Sequence, residues 1–210
     1  MFRMAGPRDA DFLAWAILTA SRGHLPRGWF DIALARSESE CLDFVKRLTT
    51  VTTRSWWHYS RFFVAETGGR PVSALCAFRA GDAYPLSQAA LIEVTDSLGL
   101  SQEERAAIWQ RGSYLFTCTT ATNQDAWTID NVATLPHDRR RGHTAALLAV
   151  ALEAGRTRRI REAQITLAIG NDIAQRAYER MGFRPTDETR HPDFEAAAGA
   201  PGMRRLVRAL

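Results

Sequence analysis

The chain has 210 residues, of which 46% are hydrophobic and 24% charged, with a formal net charge of +4 and a pI near 9.3. This composition is typical of a globular protein and excludes a disordered, collagen-like or coiled-coil chain. A globule of this size buries roughly 70% of its unfolded surface, so it needs neither disulfides nor a metal ion to fold.

The first predicted elements are a short strand over 2–5 and a helix from about 9 to 21. The apolar run in this helix is similar to the core of a secretion signal, but Asp9 and Asp11 stand directly before it, where such signals carry no acids. No run reaches the roughly 18 apolar residues of a membrane span. We therefore expect a cytoplasmic protein with no membrane partner.

A second helix is predicted over 37–48, because Ser37 and Glu40 have the spacing of a capping box. Two β-prone runs, 62–66 and 71–78, follow on either side of a Gly-Gly pair. This pattern predicts a β-hairpin.

The segment at about 81–124 reads as two helices within 87–109, broken at Leu98-Gly99-Leu100. Its acidic side chains are either a cation-attracting surface or, more simply, a solvated helix face. These acids are Glu93, Asp96, Glu103 and Glu104.

The second half alternates strands and helices. We predict strands over 127–134, 163–169 and 203–208, with helices over 142–155 and 171–181. A hairpin followed by this alternation predicts an α/β fold with one mixed, mostly antiparallel sheet of about seven strands flanked by helices. We expect a single domain over 1–210.

The chain contains three scattered cysteines, Cys41, Cys76 and Cys118. They have neither a Cys-x-x-Cys pattern nor a nearby paired histidine, so we expect free thiols, a reducing compartment and no bound metal. Cys118 as an acyl-carrying nucleophile is a remote alternative, because a lone buried thiol is far commoner.

One turn carries a clear chemical signal. The strand over 127–134 ends at Pro136, and an arginine-rich turn with Gly142 leads into an apolar helix. N–H groups at a helix N-terminus lack internal partners and carry about half a positive charge. Glycine admits a ligand close to the backbone, and arginines add charge-assisted hydrogen bonds. The turn over 139–144 therefore suits a pyrophosphate, although a solvated basic turn has the same pattern.

A second motif begins 29 residues after Gly142, which is the length of one helix and one strand. Its matching residues are Asn171, Ala174, Tyr178, Glu179, Gly182 and Phe183. Together with Arg139-x-x-Gly142-x-Thr144, this motif resembles the GNAT superfamily of acyl-CoA-dependent N-acyltransferases, of the bacterial type. The chain departs from the family pattern at Thr144, where Gly or Ala is usual.

The resemblance implies an acyl-CoA N-acyltransferase fold with an extra helical segment at about 81–124. Its acceptor side would be about 1–124, its acyl-CoA-binding core about 125–185 and its last strand about 200–209. Acetyl-CoA would be the co-substrate, with no metal.

The resemblance also implies how the donor is held. The pyrophosphate would contact the backbone amides of Arg140, Arg141, Gly142, His143 and Thr144, with charge added by Arg139. Val132, Ala133 and Thr134 would pair with the pantetheine arm as an added strand does, and the Val132 N–H would polarise the thioester carbonyl. Asn171 would hydrogen-bond the same arm.

Two residues are expected to move protons. Tyr178 matches the family position that protonates the departing CoA thiolate, which requires a closely held phenol because its usual pKa of ~10 exceeds the ~8.5 of a thiol. Asp130 would bind the acceptor ammonium or take its proton. By strand alternation we expect Asp130 and Val132 on one face. Thr128 stands where some members carry a basic glutamate, so the identity of the base stays open.

Other candidate bases are the histidines His24, His58, His137, His143 and His191. The acceptor, a small-molecule or peptide amine, would bind near Trp29-Phe30, the aromatic run at 56–59 and the segment at 81–124. These aromatic residues either contact the acceptor or pack as ordinary core.

Two other functions fit parts of the sequence. A non-catalytic module that binds or senses acyl-CoA would keep the phosphate turn and lose the proton-handling groups, and Tyr178 argues mildly against it. A nucleic-acid binder is suggested by the arginines at 156–161, but cations at a helix C-terminus complement the helix dipole, so we expect no nucleic-acid partner. Dimers are common in the family, and the sequence leaves a homodimer open.

Overall fold

The computed structural model describes residues 1–210. The strands are β1 (Phe2–Met4), β2 (Phe62–Thr67), β3 (Arg70–Arg79), β4 (Trp127–Thr134), β5 (Glu162–Ala168), β6 (Arg184–Arg190) and β7 (Gly202–Ala209). The helices are α1 (Ala10–Arg22), α2 (Trp29–Leu34), α3 (Glu38–Leu48), α4 (Ala80–Ala83), α5 (Ser87–Ser97), α6 (Gln102–Gly112), α7 (His143–Thr157), α8 (Asp172–Arg180) and α9 (Pro192–Ala198).

The strands form one seven-stranded sheet in the order β1-β2-β3-β4-β5-β7-β6. Only β4 and β5 are parallel; every other neighbouring pair is antiparallel. The mixed, mostly antiparallel sheet predicted from the sequence is therefore confirmed.

The sheet opens between β4 and β5. These strands pair only at their amino ends, where Trp127 lies opposite Ala163 and Thr128 opposite Gln164. A hydrogen bond of 2.9 Å from the Gln164 amide to the Thr128 hydroxyl joins the two strands at this point. Beyond it the strands diverge, and this opening separates the two halves of the sheet.

Apolar side chains cover both faces of the sheet. On one face α1, α2, α3, α5 and α6 pack over a core cluster of 24 residues that includes Leu13, Ile17 and Phe78. On the other face α7 and α8 cover a cluster of 17 residues that includes Leu147, Leu152 and Phe183. The opening between β4 and β5 connects these two layers.

The segment at 81–124 packs over the first layer. The indole of Trp29 donates to the Gly112 carbonyl at 3.0 Å, and Arg111 Nε donates to the Ala33 carbonyl at 2.8 Å. Glu93 accepts from the backbone N–H groups of Thr52 and Thr53. Glu104 caps the start of α6 and pairs with Arg36, and Asp96 pairs with Arg105, so these acids make contacts within the protein.

The bounds predicted for the larger elements agree with the structure to within three residues at each end. Four smaller elements, β6, α2, α4 and α9, were not predicted. β6 is an edge strand whose residues are mostly exposed and therefore lack the apolar alternation of a buried strand. The capping box at Ser37 and Glu40 is present as predicted.

The start of α1 is attached to the sheet edge by an ion pair. The Arg3 guanidinium donates to both Asp9 carboxylate oxygens, at 2.7 and 2.8 Å, and the Gly6 N–H donates to the same carboxylate at 2.8 Å. Asp9 is 4% exposed, so these bonds replace the water that burial removes. The Arg3 guanidinium lowers the pKa of Asp9 below its ordinary 3.8.

We predict that Asp9→Ala lowers the free energy of unfolding by about 2 kcal/mol, because it removes charge-assisted bonds to a buried carboxylate. The matched control is Asp11→Ala on the same helix, whose exposed carboxylate pairs with Lys46 and should contribute less than about 0.5 kcal/mol. Urea denaturation of both variants measures the difference. Equal losses would contradict this assignment.

The contribution of Asp9 should also depend on pH. Because its pKa is lowered in the folded state, the stability it adds is fully present above about pH 4 and is lost as the pH falls through the lowered value. The difference between wild type and Asp9→Ala should therefore shrink only at acidic pH.

Candidate active site

A left-handed residue interrupts β4 at its centre. Asn131 has φ 51°, and the pairing with β3 shifts there, because Cys76 lies opposite Asp130 whereas Ala74 lies opposite Ala133. Asn131 and Val132 thus both oppose a single residue of β3, which is a β-bulge. Asn tolerates this left-handed conformation better than most residues.

The bulge reverses the alternation of side chains along β4. Ile129 before it and Val132 after it both pack with the α7 and α8 layer, whereas Ala133 packs with the α1 layer. Asp130 therefore lies on the face opposite Val132. The expectation from simple strand alternation, that these two residues share a face, was wrong because it assumed regular pairing.

Asp130 lies at the point where β4 and β5 separate. Its Oδ1 accepts a hydrogen bond of 2.6 Å from the Asn131 N–H. Burial raises the pKa of the Asp130 carboxyl to about 6. The hydrogen bond from Asn131 lowers this pKa but offsets only part of the effect of burial. The group is therefore a carboxylate that takes and releases a proton near neutral pH, as a general base requires.

Three further titratable groups surround Asp130. Burial, and then the charge of Asp130, raises the pKa of Tyr84, of Tyr178 and of the Cys76 thiol. All three consequently stay protonated at neutral pH. Tyr84 belongs to the extra segment, and sequence reasoning did not connect it with the site because nothing local links it to β4.

Tyr178 approaches the opening from the other face of the sheet. It lies on α8, is 8% exposed and packs with the cluster that includes Phe183. Its hydroxyl makes no hydrogen bond to another group of the protein, and its pKa responds to the charge of Asp130. Tyr178 and Asp130 thus belong to opposite faces of the sheet, and the charge of Asp130 raises the pKa of Tyr178.

The predicted phosphate turn ends in the N-terminus of α7. The first backbone hydrogen bond of this helix runs from Ala146 N–H to the Gly142 carbonyl, so the N–H groups over 140–145 have no backbone partner. Arg140 and Gly142 both have positive φ, at 62° and 81°. Successive amides in such a turn converge on a common point and bind anions.

The arginines of this turn are exposed, and their contacts stay within the turn. Arg139 Nε donates to the Thr134 carbonyl at 3.3 Å, which joins the turn to the end of β4. Arg141 pairs with Asp138 at 3.1 Å. Arg140 makes no ion pair and is available to an external anion.

Thr144, the departure from the family pattern, points toward the sheet. Its hydroxyl lies 3.0 Å from the Thr134 hydroxyl, which lies 2.7 Å from the Ser73 hydroxyl, and Ser73 donates to the Ala133 carbonyl. This hydroxyl chain links the start of α7 to β3 and β4. The Thr144 side chain therefore does not crowd the free amides.

Asn171 caps α8, because its Oδ1 accepts from the Ala174 N–H at 3.3 Å. The end of α1 lies against the same junction: a Cβ on Gly170 would come within 3.1 Å of the His24 ring. Among the histidines named above, His24 thus lies at the end of β5. His58 is buried, and its Nδ1 accepts from the Ser60 N–H.

The aromatic residues proposed for acceptor binding are largely core. Trp57 and Phe30 are 6% and 2% exposed, and the rings of Trp56 and Trp57 lie 4.4 Å apart. Trp56 also contacts Tyr84, with ring centroids 5.6 Å apart. This aromatic cluster therefore reaches the Asp130 site through Tyr84.

All three cysteines are buried and free. The structure contains no group of His, Cys, Asp or Glu residues arranged to hold a metal ion. None of its helices combines the length and apolar character that a membrane crossing demands.

The model of the acetyltransferase (GNAT) family matches residues 32–183. No curated protein sequence matches the chain. Among solved structures, an N-acetyltransferase from Staphylococcus aureus Mu50 superposes with a TM-score of 0.72 at 19% identity, covering 99% of this chain and 100% of the other.

Two other solved structures support the same fold. A structure described as an acetyltransferase has a TM-score of 0.71 at 19% identity and covers 100% of this chain and 98% of its own. Rv2747 from Mycobacterium tuberculosis, solved in complex with CoA, has a TM-score of 0.51 at 12% identity, with 100% and 99% covered. The fold is thus the acetyltransferase fold.

We predict that the Asp130 carboxyl titrates with a midpoint near pH 6, well above the 3.8 of an ordinary aspartate, because burial disfavours its charged form. Carbon-detected NMR of aspartate side chains measures this midpoint, and the signal is assigned by its loss in Asp130→Asn. A midpoint near 4 would show that solvent reaches the group freely.

Proposed function

The chain belongs to the acetyltransferase (GNAT) family, and on that premise we propose that it transfers an acetyl group from acetyl-CoA directly to a primary amine. The observation that carries this proposal is the row of unpartnered amides over 140–145, which lies beside the opening between β4 and β5. A pyrophosphate group matches the amides, and an extended pantetheine arm matches the opening.

The donor is proposed to bind along β4 and the start of α7. Pyrophosphate oxygens accept from the free amides over 140–144, with Arg139 and Arg140 adding positive charge. The pantetheine arm pairs with Val132, Ala133 and Thr134, because β4 lacks a strand partner on its β5 side there. Asn171, at the opposite rim of the opening, is proposed to contact the same arm.

The hydroxyl chain from Thr144 to Ser73 supports this arrangement. It holds the amides of the turn and the end of β4 in a fixed relation, so the pyrophosphate and pantetheine contacts form together. Thr144 stands where the family usually has Gly or Ala, and its hydroxyl stabilises the turn on the side that faces the sheet.

The acceptor is proposed to approach Asp130 as an ammonium ion. Asp130 takes one proton from it, directly or through water, and the neutral amine nitrogen attacks the thioester carbonyl carbon. The developing oxyanion accepts from the Val132 N–H. A new C–N bond forms as the C–S bond breaks, and the products are an amide and the CoA thiolate.

Tyr178 is proposed to donate its proton to that thiolate. Its raised pKa keeps the phenol protonated at neutral pH, so it is always available as a donor. A buried thiolate is also more basic than one in water, which favours the transfer within this site. The proton held by Asp130 then returns to the Tyr178 phenolate. The second proton of the amine, lost from the nitrogen of the tetrahedral intermediate, goes to solvent, so each turnover releases one proton and the balance closes.

The proposed acceptor is a primary amine, carried by a small molecule or by a peptide. The carboxylate of Asp130 favours a cationic group, and Tyr84 and Trp56 supply aromatic surface beside it. A non-catalytic acyl-CoA sensor would share the donor contacts, and the kinetic experiment below distinguishes the two.

Calorimetric titration with acetyl-CoA tests the donor site. We expect the wild type to bind acetyl-CoA with a micromolar Kd. Gly142→Glu should weaken this binding at least about tenfold, equivalent to roughly 1.4 kcal/mol, because the new carboxylate occupies the position of the pyrophosphate among the amides and repels it. Gly199→Glu is the matched control. Gly199 has φ 83° and Gly142 has φ 81°, so the substitution causes similar backbone strain at both positions, and an added Cβ at Gly199 meets nothing within 4 Å. If the wild type fails to bind, the acyltransferase proposal falls.

Steady-state kinetics with an amine acceptor tests the proton-handling groups. Tyr178→Phe should lower kcat by about 10²-fold or more without weakening acetyl-CoA binding. In the wild type, kcat/KM should rise with pH as Asp130 becomes the required carboxylate, and this contribution of Asp130 to the pH dependence should level off above about pH 6.

Asp130→Asn separates this rise from the titration of the acceptor amine, whose usual pKa of ~10 adds a slope at higher pH. The variant should lose the transition near pH 6 and keep the higher slope. Turnover unchanged in both variants would overturn the catalytic roles. Binding without turnover of any amine would support the sensor instead.

A further inference from the structure

A second basic site lies at the opposite end of the sheet. A groove of about 680 Å³ is formed where β4 and β5 begin and α7 ends. α7 has 15 residues, so at 1.5 Å per residue the groove lies about 22 Å from the phosphate turn. Its lining includes Arg61, Arg79, Arg158, Arg159 and Arg161.

The carboxylates of the groove neutralise only part of this charge. Three acids line it, Asp82, Asp125 and Glu162. Both aspartates pair with the same cation, Arg79. Glu162 accepts from the Asn123 amide at 3.0 Å and forms no ion pair. The remaining arginines therefore have no carboxylate partner.

Arg61, Arg159 and Arg161 are the groups left available. The Arg61 side chain makes one hydrogen bond, from Nη2 to the Arg54 carbonyl at 3.3 Å, and its buried Nε has no acceptor. The side chains of Arg159 and Arg161 make no hydrogen bond or ion pair. A buried guanidinium N–H without an acceptor is unfavourable unless a ligand supplies one.

The backbone holds Arg159 in an unusual conformation. The end of α7 closes with Arg159 N–H on the Arg156 carbonyl and Ile160 N–H on the Gly155 carbonyl, and Arg159 has φ 58°. Glycine is the usual residue at this position of a helix end, because other side chains are strained there. An arginine at this position places a cation at the groove instead.

Two neighbouring groups hold the Arg158 side chain in position. The Arg158 guanidinium lies 5.1 Å from the centre of the Trp127 ring and donates to the Ala154 carbonyl at 2.8 Å. Arg158 is exposed and forms no ion pair, and the Trp127 ring contributes a cation–π contact without removing its charge. Arg158 therefore adds positive charge to the groove without being neutralised.

We propose that this groove binds a small molecule carrying a phosphate or pyrophosphate group. Guanidinium groups match phosphate oxygens by paired hydrogen bonds, and several unneutralised arginines converge on one concave site. Nucleic acid is less suited, because its backbone needs an extended basic stripe, whereas here the acids Asp125 and Glu162 form part of the same lining.

Inorganic pyrophosphate is the probe for this site, measured by isothermal titration. The phosphate turn at the other end of α7 is disabled first with Gly142→Glu, so that remaining binding reports the groove. In this background we expect Arg161→Glu to weaken pyrophosphate binding at least tenfold. Arg156→Glu should change it less than threefold, since Arg156 lies at the same helix end, pairs with Glu153 and does not line the groove.

The wild-type chain gives a second readout that does not depend on the folding of Gly142→Glu. It should bind two pyrophosphate ions, and Arg161→Glu should bind one. Equal weakening by Arg161→Glu and Arg156→Glu would reflect general charge and would overturn the proposal. The absence of pyrophosphate binding outside the turn, or preferential binding of a single-stranded oligonucleotide, would overturn it too.

Discussion

The break in pairing between β4 and β5 is the constraint on which the rest of the structure depends. Backbone groups inside a protein need hydrogen-bond partners, so a sheet does not open at its centre without compensation. Here the Thr128–Gln164 contact ends the shared pairing, and the bulge at Asn131 turns β4 away from β5. The unpaired edge of β4 that results is the surface along which an extended ligand is proposed to pair.

The same break determines the electrostatics of the site. A carboxylate in a continuous sheet would be solvated or paired, whereas Asp130 lies half-buried at the opening, near tyrosines and a thiol that cannot neutralise it. The charge of Asp130, on the α1 side of the sheet, also raises the pKa of Tyr178 in the α8 layer. Two groups with separated pKa values, one near 6 and one above that of free tyrosine, are thus present in one site. Such separation is characteristic of acid and base pairs.

Local patterns predicted most of this fold from the sequence. The helix bounds follow from Ser37, Ser101 and Asn171, which all cap helices as their side chains favour. The turn over 139–144 could be predicted as a candidate phosphate site because its signal, a glycine among arginines before an apolar helix, lies within a few consecutive residues. β6 could not be recognised, since an exposed edge strand need not alternate.

Features that arise from contacts between residues far apart in the chain could not be predicted from the sequence. The bulge in β4 arises from pairing with β3, and nothing in Asp130-Asn131 distinguishes a bulge from a regular strand. The proximity of Tyr84 to Asp130 needs the extra segment to fold back over the sheet. The division of the chain into one domain over 1–210 and its oligomeric state stay predictions.

The two ends of α7 carry the two proposed anion sites, and the helix dipole acts on them with opposite sign. At the N-terminus the free amides and the helix dipole attract an anion by themselves, and arginines only add to the effect. At the C-terminus the dipole is negative, and the carbonyl ends repel an anion. Arg158, Arg159 and Arg161 must therefore first offset the dipole before they attract a ligand. Part of the positive charge in the groove is consumed in this way, so its affinity for pyrophosphate should be lower than that of the turn and more sensitive to the loss of a single arginine.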